Sequence, residues 1–183
     1  MIRIVKFGEP VLRTKGELIT KFDDEALQTF IVDMIAAMYE ASGVGLAAQQ
    51  AGRALQLAVI DVADTGTERS SRMWIDGKEV DPAAHMPMVL INPEIELLGE
   101  RETGTEGCLS FPDITADITR PERVRVQALD RIGQPFNFEA DGLLARAVQH
   151  EYDHLQGVLF IDRMNSATKA SLAGRLKRMQ RAR

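Results

Sequence analysis

Several kinds of residue and segment are scarce in this sequence of 183 residues. There is one cysteine, Cys108, so no disulfide can form within the chain, and we expect a reducing, cytoplasmic setting. No apolar run approaches the ~18 residues that a membrane span requires, because Asp33 interrupts the candidate FIVDMIAAMY. The first residues, MIRIVKFGEP, lack the long apolar segment of a secretory signal. These absences argue against a disulfide-stabilised or membrane protein.

Acidic residues are absent from the last part of the chain. No Asp or Glu follows Asp162, whereas seven of the 22 basic residues do, and the preceding sequence has 15 basic against 27 acidic residues. A basic end on an acidic body suggests a polyanionic partner for that end, and a solvated terminal helix is the alternative. The seven basic residues are Arg163, Lys169, Arg175, Lys177, Arg178, Arg181 and Arg183.

Strands are predicted where apolar residues alternate or form short runs between turn residues. The run that starts at residue 88 is interrupted at Asn92-Pro93, and a turn around Gly133 joins the last two strands as a hairpin. Residues 64–87 are polar and rich in turn residues, which predicts a long loop or a hairpin. The predicted strands cover residues 2–7, 55–63, 88–103, 124–130 and 135–140.

Helices are predicted over residues 24–42, 141–156 and 166–183, with Gly43 and Gly157 as the ends of the first two. Strands and helices do not alternate regularly, which favours an α+β fold over a doubly wound sheet. The length suits a single domain. We expect mixed or antiparallel β-sheets packed around the second helix, with an N-terminal and a C-terminal helix. The predicted N-caps are Asp23 or Asp24, Asp141, and Asn165 or Ser166.

The stretch QHEYDHLQG places two histidines and a glutamate on the second predicted helix. Because each helical residue turns by about 100°, His150 and His154 lie roughly 40° and one turn apart. Both imidazoles can therefore reach one cation with Glu151 beside them, the H-E-x-x-H arrangement of metal hydrolases. Two histidines on a helix can also be ordinary core or surface residues. The chain has only three histidines and two lie here, which favours a metal site.

A catalytic metal site needs a third protein ligand. The zincin class with a histidine six residues after the second one is excluded, because Phe160 occupies that position. Asp162 stays possible although it follows closely after the helix, and His85 is expected at the surface. Cys108 would complete a His₂Cys site with one open position, although a lone cysteine is often a small buried hydrophobe. The spacing alone leaves the choice open.

Three segments together resemble the signature motifs of peptide deformylases, which remove the formyl group from the N-terminal formylmethionine of new bacterial proteins. They are GVGLAAQQ (43–50), EGCLS (106–110) and QHEYDH (149–154), in the order of the family. The family often has proline where this chain has Gln49, a variable position. The resemblance covers residues 1–165 and implies that they form the catalytic domain, with residues 166–183 as a basic C-terminal helix of the same domain.

The resemblance implies roles for individual residues. The implied metal ligands are Cys108, His150 and His154. The implied catalytic groups are Glu151 as general acid and base acting on a metal-bound water, and Gln50 with the backbone amide of Leu109 as donors to the developing oxyanion. The implied substrate-binding residues are Gly43, Val44 and Gly45.

A cofactor and partners also follow from the resemblance. The ion of the family is Fe²⁺, for which Zn²⁺ or Ni²⁺ can substitute, and its substrates are formylmethionyl nascent peptides. Relatives of this form dock on the ribosome through the C-terminal helix, so we expect the basic end to contact rRNA or ribosomal protein near the exit tunnel. We expect a monomer. Two other functions stay open: a different HExxH metallopeptidase, and a non-catalytic metal-stabilised protein associated with the ribosome or RNA.

Overall fold

The protein is organised around a β-sheet in which some strands are buried throughout and others alternate between buried and exposed side chains. The computed structural model describes residues 1–66 and 69–182, so Thr67, Glu68 and Arg183 of the predicted excursion and tail lie outside it. The strands are β1 (Gly45–Ala47), β2 (Leu57–Ile60), β3 (Met73–Ile75), β4 (Lys78–Val80), β5 (Met88–Cys108), β6 (Phe111–Leu129) and β7 (Pro135–Asp141). Within the described residues they form one sheet in the order β1-β2-β5-β6-β7-β3-β4, and every neighbouring pair is antiparallel. The predicted α+β class is confirmed.

The long hairpin of β5 and β6 is the largest difference from the predicted strands. β5 runs on through the EGCLS motif to Cys108 and absorbs the predicted break at Asn92-Pro93 as a register shift between Ile91 and Glu94. β6 begins at Phe111, 13 residues before the predicted strand. Its buried side chains alternate from Ile114 onward, although Pro112, Pro121 and several charged residues mask that pattern in the sequence. The hairpin brings the end of β5 to one end of the sheet.

The N-terminal segment is not the strand predicted over residues 2–7. Val5 N–H donates to the Gln50 carbonyl at 2.8 Å, and Phe7 N–H donates to the Ser110 carbonyl at 2.9 Å. The segment therefore bridges two different parts of the chain, and no continuous ladder to one strand can form. The predicted excursion contains the β3–β4 hairpin and a short 3₁₀ helix, Pro82–His85.

Helix α1 spans Glu25–Glu40, and the Asp24 carboxylate caps it by accepting from Ala26 N–H. Gly43 is not its first non-helical residue, because Ser42 takes the left-handed conformation with φ of 55°. Gly43 N–H then donates to the Met38 carbonyl and Ser42 N–H to the Tyr39 carbonyl. This pair of bonds is a Schellman ending, and it turns the chain directly into β1.

Helix α2, Gly142–Leu155, lies against the sheet with all but two of its 14 residues buried. Asp141 stands at its N-cap position, but its carboxylate accepts from the backbone and side chain of Arg72 and does not cap the helix. Gly157 follows the helix with φ of 76°, as predicted for the residue that ends it. The apolar side chains of α2 pack on β6 and β7, which fixes the helix that carries both histidines.

Helix α3, Ser166–Arg181, is capped by Asn165, whose side chain accepts from Thr168 N–H at 2.8 Å. Leu176 is buried in a cluster with Phe111 and Phe160, and Leu172 and Met179 pack against the same cluster. The helix is therefore packed on the body of the protein. None of the helices in the described residues combines the length and hydropathy needed to cross a membrane.

Candidate metal centre

Two elements bring three soft or borderline ligand atoms together. Cys108 ends β5, and His150 and His154 lie one turn apart on α2, with the ligand atoms of all three within 4.8 Å of one another. Cys108 Sγ is 3.4 Å from His154 Nε2. Both histidines are buried and the cysteine is half-buried. A thiolate and two imidazoles at this separation are a suitable donor set for a divalent transition metal.

Glu106, the first residue of the EGCLS motif, orients one histidine from behind. His150 Nδ1 donates to Glu106 Oε1 at 2.8 Å, which leaves Nε2 as the nitrogen available to a cation. Such a carboxylate partner fixes the ring and raises its strength as a ligand. No pattern in the sequence assigns this role to Glu106, although a histidine ligand generally has a partner of this kind.

Buried arginines hold Glu106 in place. Arg120 donates through Nε to Glu106 Oε2 at 2.6 Å and through its second terminal nitrogen to Oε1 at 3.0 Å. Arg120 also donates to Asp153 at 2.9 Å, and Asp153 accepts from Arg163 as well. Burial alone would raise the pKa of Glu106, but the hydrogen bonds from His150 and Arg120 outweigh it and hold that pKa far below its usual range. Arg163 is thus an ion-pair partner of the network that supports the centre.

The catalytic candidate Glu151 lies in a tight, buried environment. Its Oε2 is buried and has no hydrogen-bond partner within the described part of the chain. Burial disfavours its charged form and raises the pKa of Glu151 to about 7. A Cβ added to Gly45 would lie 2.5 Å from Glu151 Oε1 and 3.0 Å from its Cγ and Cδ. The motif GVGLAAQQ therefore needs glycine at this position to make room for the carboxylate.

The surroundings shift the pKa values of the two histidines in opposite directions. Burial and the positive charge of His150 hold the pKa of His154 well below its ordinary value. Burial would also lower the pKa of His150, but hydrogen bonds with Cys108 and Glu106 raise it well above that value.

Gln50 points its amide nitrogen at the same place. Its Oε1 accepts from Ala47 N–H at 2.9 Å, and its Nε2 donates to Ser110 Oγ at 3.2 Å while lying 3.5 Å from Cys108 Sγ. These bonds fix which end of the amide faces the cluster. Gln50 therefore presents a preorganised N–H donor beside the ligand atoms.

A cavity of about 550 Å³ opens beside the cluster. Gly43, Val44 and Gly45 form one side of it, and Leu109 lies close enough that a Cβ on Gly43 would be 2.7 Å from its Cδ1. All the site residues named from the sequence thus line or adjoin one cavity, except His154, which lies in the cluster behind it.

Two residues considered as possible ligands lie elsewhere. The Asp162 carboxylate accepts from Arg13 and from Leu159 N–H, so it is engaged at the start of the C-terminal region. His85 is exposed in the short helix of the excursion. Neither belongs to the cluster of Cys108, His150 and His154, which leaves the cysteine as the third donor.

Comparison with known proteins identifies the family to which this arrangement belongs. A sequence profile described as polypeptide deformylase matches residues 1–170. The chain is a member of the polypeptide deformylase family. It is 45% identical over 181 residues to the peptide deformylase of Methylacidiphilum infernorum, with 99% of this chain and 94% of that protein covered. It is 47% identical over 181 residues to the peptide deformylase of Opitutus terrae, with 96% of this chain and 91% of that protein covered.

Solved structures agree with the sequence comparison. The crystal structure of a peptide deformylase from Legionella pneumophila superposes with a TM-score of 0.79 at 36% identity, covering 99% of this chain and 96% of that one. The peptide deformylase from Thermotoga maritima gives a TM-score of 0.74 at 42% identity, with coverage of 90% and 98%. As a peptide deformylase the chain is a hydrolase, of the family that removes the N-formyl group from nascent peptides.

Proposed function

We propose that the chain hydrolyses the formyl group of N-formylmethionyl nascent polypeptides with a divalent metal ion held by Cys108, His150 and His154. The observation that carries this proposal is the meeting of these three donors at one point. Glu151 Oε2 is buried beside them and has no hydrogen-bond partner among the residues that the structure describes. A buried carboxylate oxygen without a partner is costly in a purely structural site. Such an oxygen is useful in a catalytic site, where it can accept a proton.

The chemistry divides between the ion and the side chains. When bound, the ion would lower the pKa of a water to about 7 and polarise the formyl carbonyl. Glu151 takes the proton of the attacking water on its carboxylate and delivers it to the amine nitrogen that leaves. Its pKa of about 7 suits both directions of proton transfer near neutral pH.

Negative charge develops on the formyl oxygen as water adds, and two N–H donors would stabilise it. Gln50 Nε2 is held beside Cys108 by the bonds to Ala47 and Ser110, and the backbone amide of Leu109 is the second donor. Because both are fixed before reaction, little reorganisation opposes their effect. Loss of one such donor typically costs on the order of 10²–10³ in rate.

The glycine-containing segment would receive the peptide backbone. Gly43, Val44 and Gly45 form one wall of the cavity and lead into the edge strand β1. An extended peptide can pair with an exposed strand edge through main-chain hydrogen bonds. This pairing would align the formyl group with Glu151.

For the ion we propose Fe²⁺, with Zn²⁺ or Ni²⁺ as substitutes. One thiolate and two imidazoles suit all three ions. We propose iron because it is the ion of the family; the donor set itself does not distinguish the three ions. We further propose a cytoplasmic monomer in which residues 1–165 form the catalytic domain and residues 166–183 a basic helix of that domain, which contacts the ribosome near the exit tunnel.

Formate release from formyl-Met-Ala-Ser tests the proposed reaction. Protein prepared anaerobically with Fe²⁺ should release formate, and Glu151→Ala should lose turnover by at least ~10²-fold while it keeps its metal. Cys108→Ala should lose affinity for the metal. Metal content is measured on the same samples.

The outcomes separate the parts of the proposal. Absence of formate from wild-type protein with bound metal would overturn the proposed function. Equal metal affinity in Cys108→Ala and wild type would reject the cysteine as a ligand, whatever the activity.

A further inference from the structure

Arg146 is a buried cation in the wall of the active-site cavity. It lies four residues before His150 on α2, so its side chain is on the same face about one turn away. Only 10% of this side chain is exposed, and it lines the cavity with the apolar residues Leu143 and Ala147. An arginine among apolar neighbours at this depth calls for a function, because burial of a charge is costly.

The guanidinium of Arg146 is fixed by three acceptors and a glycine. One terminal nitrogen donates to Glu106 Oε2 at 2.8 Å and to the Ile118 carbonyl at 2.9 Å, and the other donates to the Glu102 carbonyl at 3.2 Å. A Cβ on Gly104 would lie 3.1 Å from Cζ, Nε and the second terminal nitrogen alike. Gly104 therefore leaves the space that the flat guanidinium fills.

Glu106 does not use up the hydrogen-bonding capacity of Arg146. Glu106 is already bound through both oxygens by Arg120 and also accepts from His150. Arg120 pairs with Asp153 as well, and Arg163, the other partner of Asp153, is exposed. Arg146 is the arginine of this network that lines the cavity.

Two of the five N–H groups of Arg146 remain for a ligand. An arginine has five such donors, and three are used by Glu106, Ile118 and Glu102; within residues 1–66 and 69–182 the Nε–H and one terminal N–H have no acceptor. The formyl carbon, amide nitrogen and Cα of a substrate are consecutive atoms. The first side chain would therefore leave the backbone close to the metal cluster, and Arg146 lines the same cavity as Cys108 and His150.

We propose that Arg146 is a specificity-determining residue that donates a hydrogen bond to an acceptor atom near the end of the first substrate side chain. This inference rests on the proposed function. The thioether sulfur of methionine is a weak acceptor near the end of the side chain. The norleucine side chain has the same length but no acceptor. Its alkyl groups would cover the guanidinium and leave the free N–H groups without a partner. Methionine sulfoxide carries a strong acceptor, so the site should also take formyl peptides whose first methionine is oxidised.

Three substrates of matched length test the inference: formyl-Met-Ala-Ser, formyl-norleucine-Ala-Ser and formyl-methionine-sulfoxide-Ala-Ser. In wild type, kcat/KM for the methionine peptide should exceed that for norleucine by roughly 3- to 10-fold, the effect of one modest hydrogen bond. In Arg146→Met the sulfoxide peptide should lose roughly 10- to 100-fold relative to norleucine, because a charge-assisted bond is lost. The methionine peptide should lose less.

The alternative role for Arg146 is that of a counter-ion for Glu106. In that case Arg146→Met lowers kcat/KM for the three peptides by one common factor, which would overturn the inference. Arg146→Lys keeps the positive charge but lacks the planar group, so its selectivity should lie between those of wild type and Arg146→Met.

Thermal unfolding followed by circular dichroism shows whether each variant folds. If a variant does not fold, the comparison of substrates in the wild-type protein still tests the inference. Equal kcat/KM for the methionine and norleucine peptides in wild type would sink the inference. Failure of the proposed function looks different, since metal-loaded protein would then release no formate from any of the three peptides.

Discussion

The absence of a side chain at Gly45 determines where Glu151 can lie. Because Glu151 is buried, its carboxylate cannot swing into solvent to relieve a contact of 2.5 Å. We expect Gly45→Ala to displace the carboxylate by several tenths of an ångström or more. Small displacements of a reacting group can cost on the order of 10² in rate.

Gly45→Ala should therefore lower kcat for formate release roughly 10²-fold while the metal content stays that of wild type. Gly174→Ala is the matched control, because there the nearest atom to an added Cβ is Arg178 Nη1 at 3.5 Å. Unchanged kcat in Gly45→Ala would mean that Glu151 does not need its observed position.

Glu106 supports the metal centre although it is not one of the three metal ligands. Glu106→Gln would remove the negative charge that faces His150, Arg120 and Arg146. Arg120 would keep Asp153 as a partner, but Arg146 would lose its counter-charge in a buried site. Partners of histidine ligands typically contribute 10- to 100-fold to metal affinity or activity. We expect a loss of about that size in metal affinity, measured by competition with a chelator.

Glu102→Gln is the control for Glu106→Gln, since it makes the same change on β5 at an exposed side chain. Metal affinity in that variant should equal that of wild type. If Glu106→Gln also retains full affinity, the hydrogen bond to His150 has no influence on the ion.

The groups that take part in the reaction are easier to recognise in the sequence than the groups that hold them in position. Cys108, His150 and Glu151 are recognisable because their chemistry restricts the residue types at those positions. Arg120 and Arg146 lie 30 and four residues before His150, and the sequence does not show that both fold onto one carboxylate. Burial of a charge depends on tertiary contacts that no local pattern encodes.

At the scale of elements, α3 contains a glycine in its exposed interior. Gly174 lies between Leu172 and Leu176, and its conformation is helical, so it gains nothing from the freedom that glycine offers. Gly174→Ala should raise the free energy of unfolding by about 0.5–1 kcal/mol. Urea denaturation measures this, and formate release should not change. An unchanged free energy of unfolding would indicate that α3 unfolds before, and separately from, the body.

Element boundaries were predicted best where caps and periodicity coincide. The ends of α2 and α3 and the β6–β7 hairpin follow the sequence signals closely, whereas the first half of β6 was missed. There Ile114, Ala116 and Ile118 do alternate at the period of a strand, but Pro112 and Pro121 flank them, and proline is unfavourable within a strand. The segment over residues 2–7 shows the opposite error, because an alternating pattern cannot reveal that Val5 and Phe7 pair with two different parts of the chain.

At the scale of the whole molecule, the basic end is part of the packed structure. Leu176 is buried against Phe111 and Phe160, so removal of residues 166–183 would uncover apolar surface next to the metal centre. Arg163 is occupied by Asp153, and Arg175 donates to the Asp113 carbonyl at 2.8 Å. The residues left to meet a polyanion in the described part of the tail are Lys169, Lys177, Arg178 and Arg181, all exposed.

Neutralisation of these four residues to glutamine should weaken binding to ribosomes and reduce its dependence on salt, because fewer counterions are released. Cleavage of a short formyl peptide should be unaffected. Co-sedimentation at several salt concentrations measures the binding.

The matched control neutralises four exposed basic residues elsewhere: Arg3, Lys15, Lys21 and Lys78. Equal binding by the two fourfold variants would show that overall charge, and not the tail, governs association with the ribosome.

The chain carries a single thiol, and that thiol is half-buried beside His154. A thiol-specific reagent can therefore attach at one position only, and a bound metal would occupy the same sulfur atom. The mass added by such a reagent would report the fraction of molecules without metal, with no reference to turnover. Inactive variants could then be divided into those that have lost the ion and those that hold it but cannot move the proton.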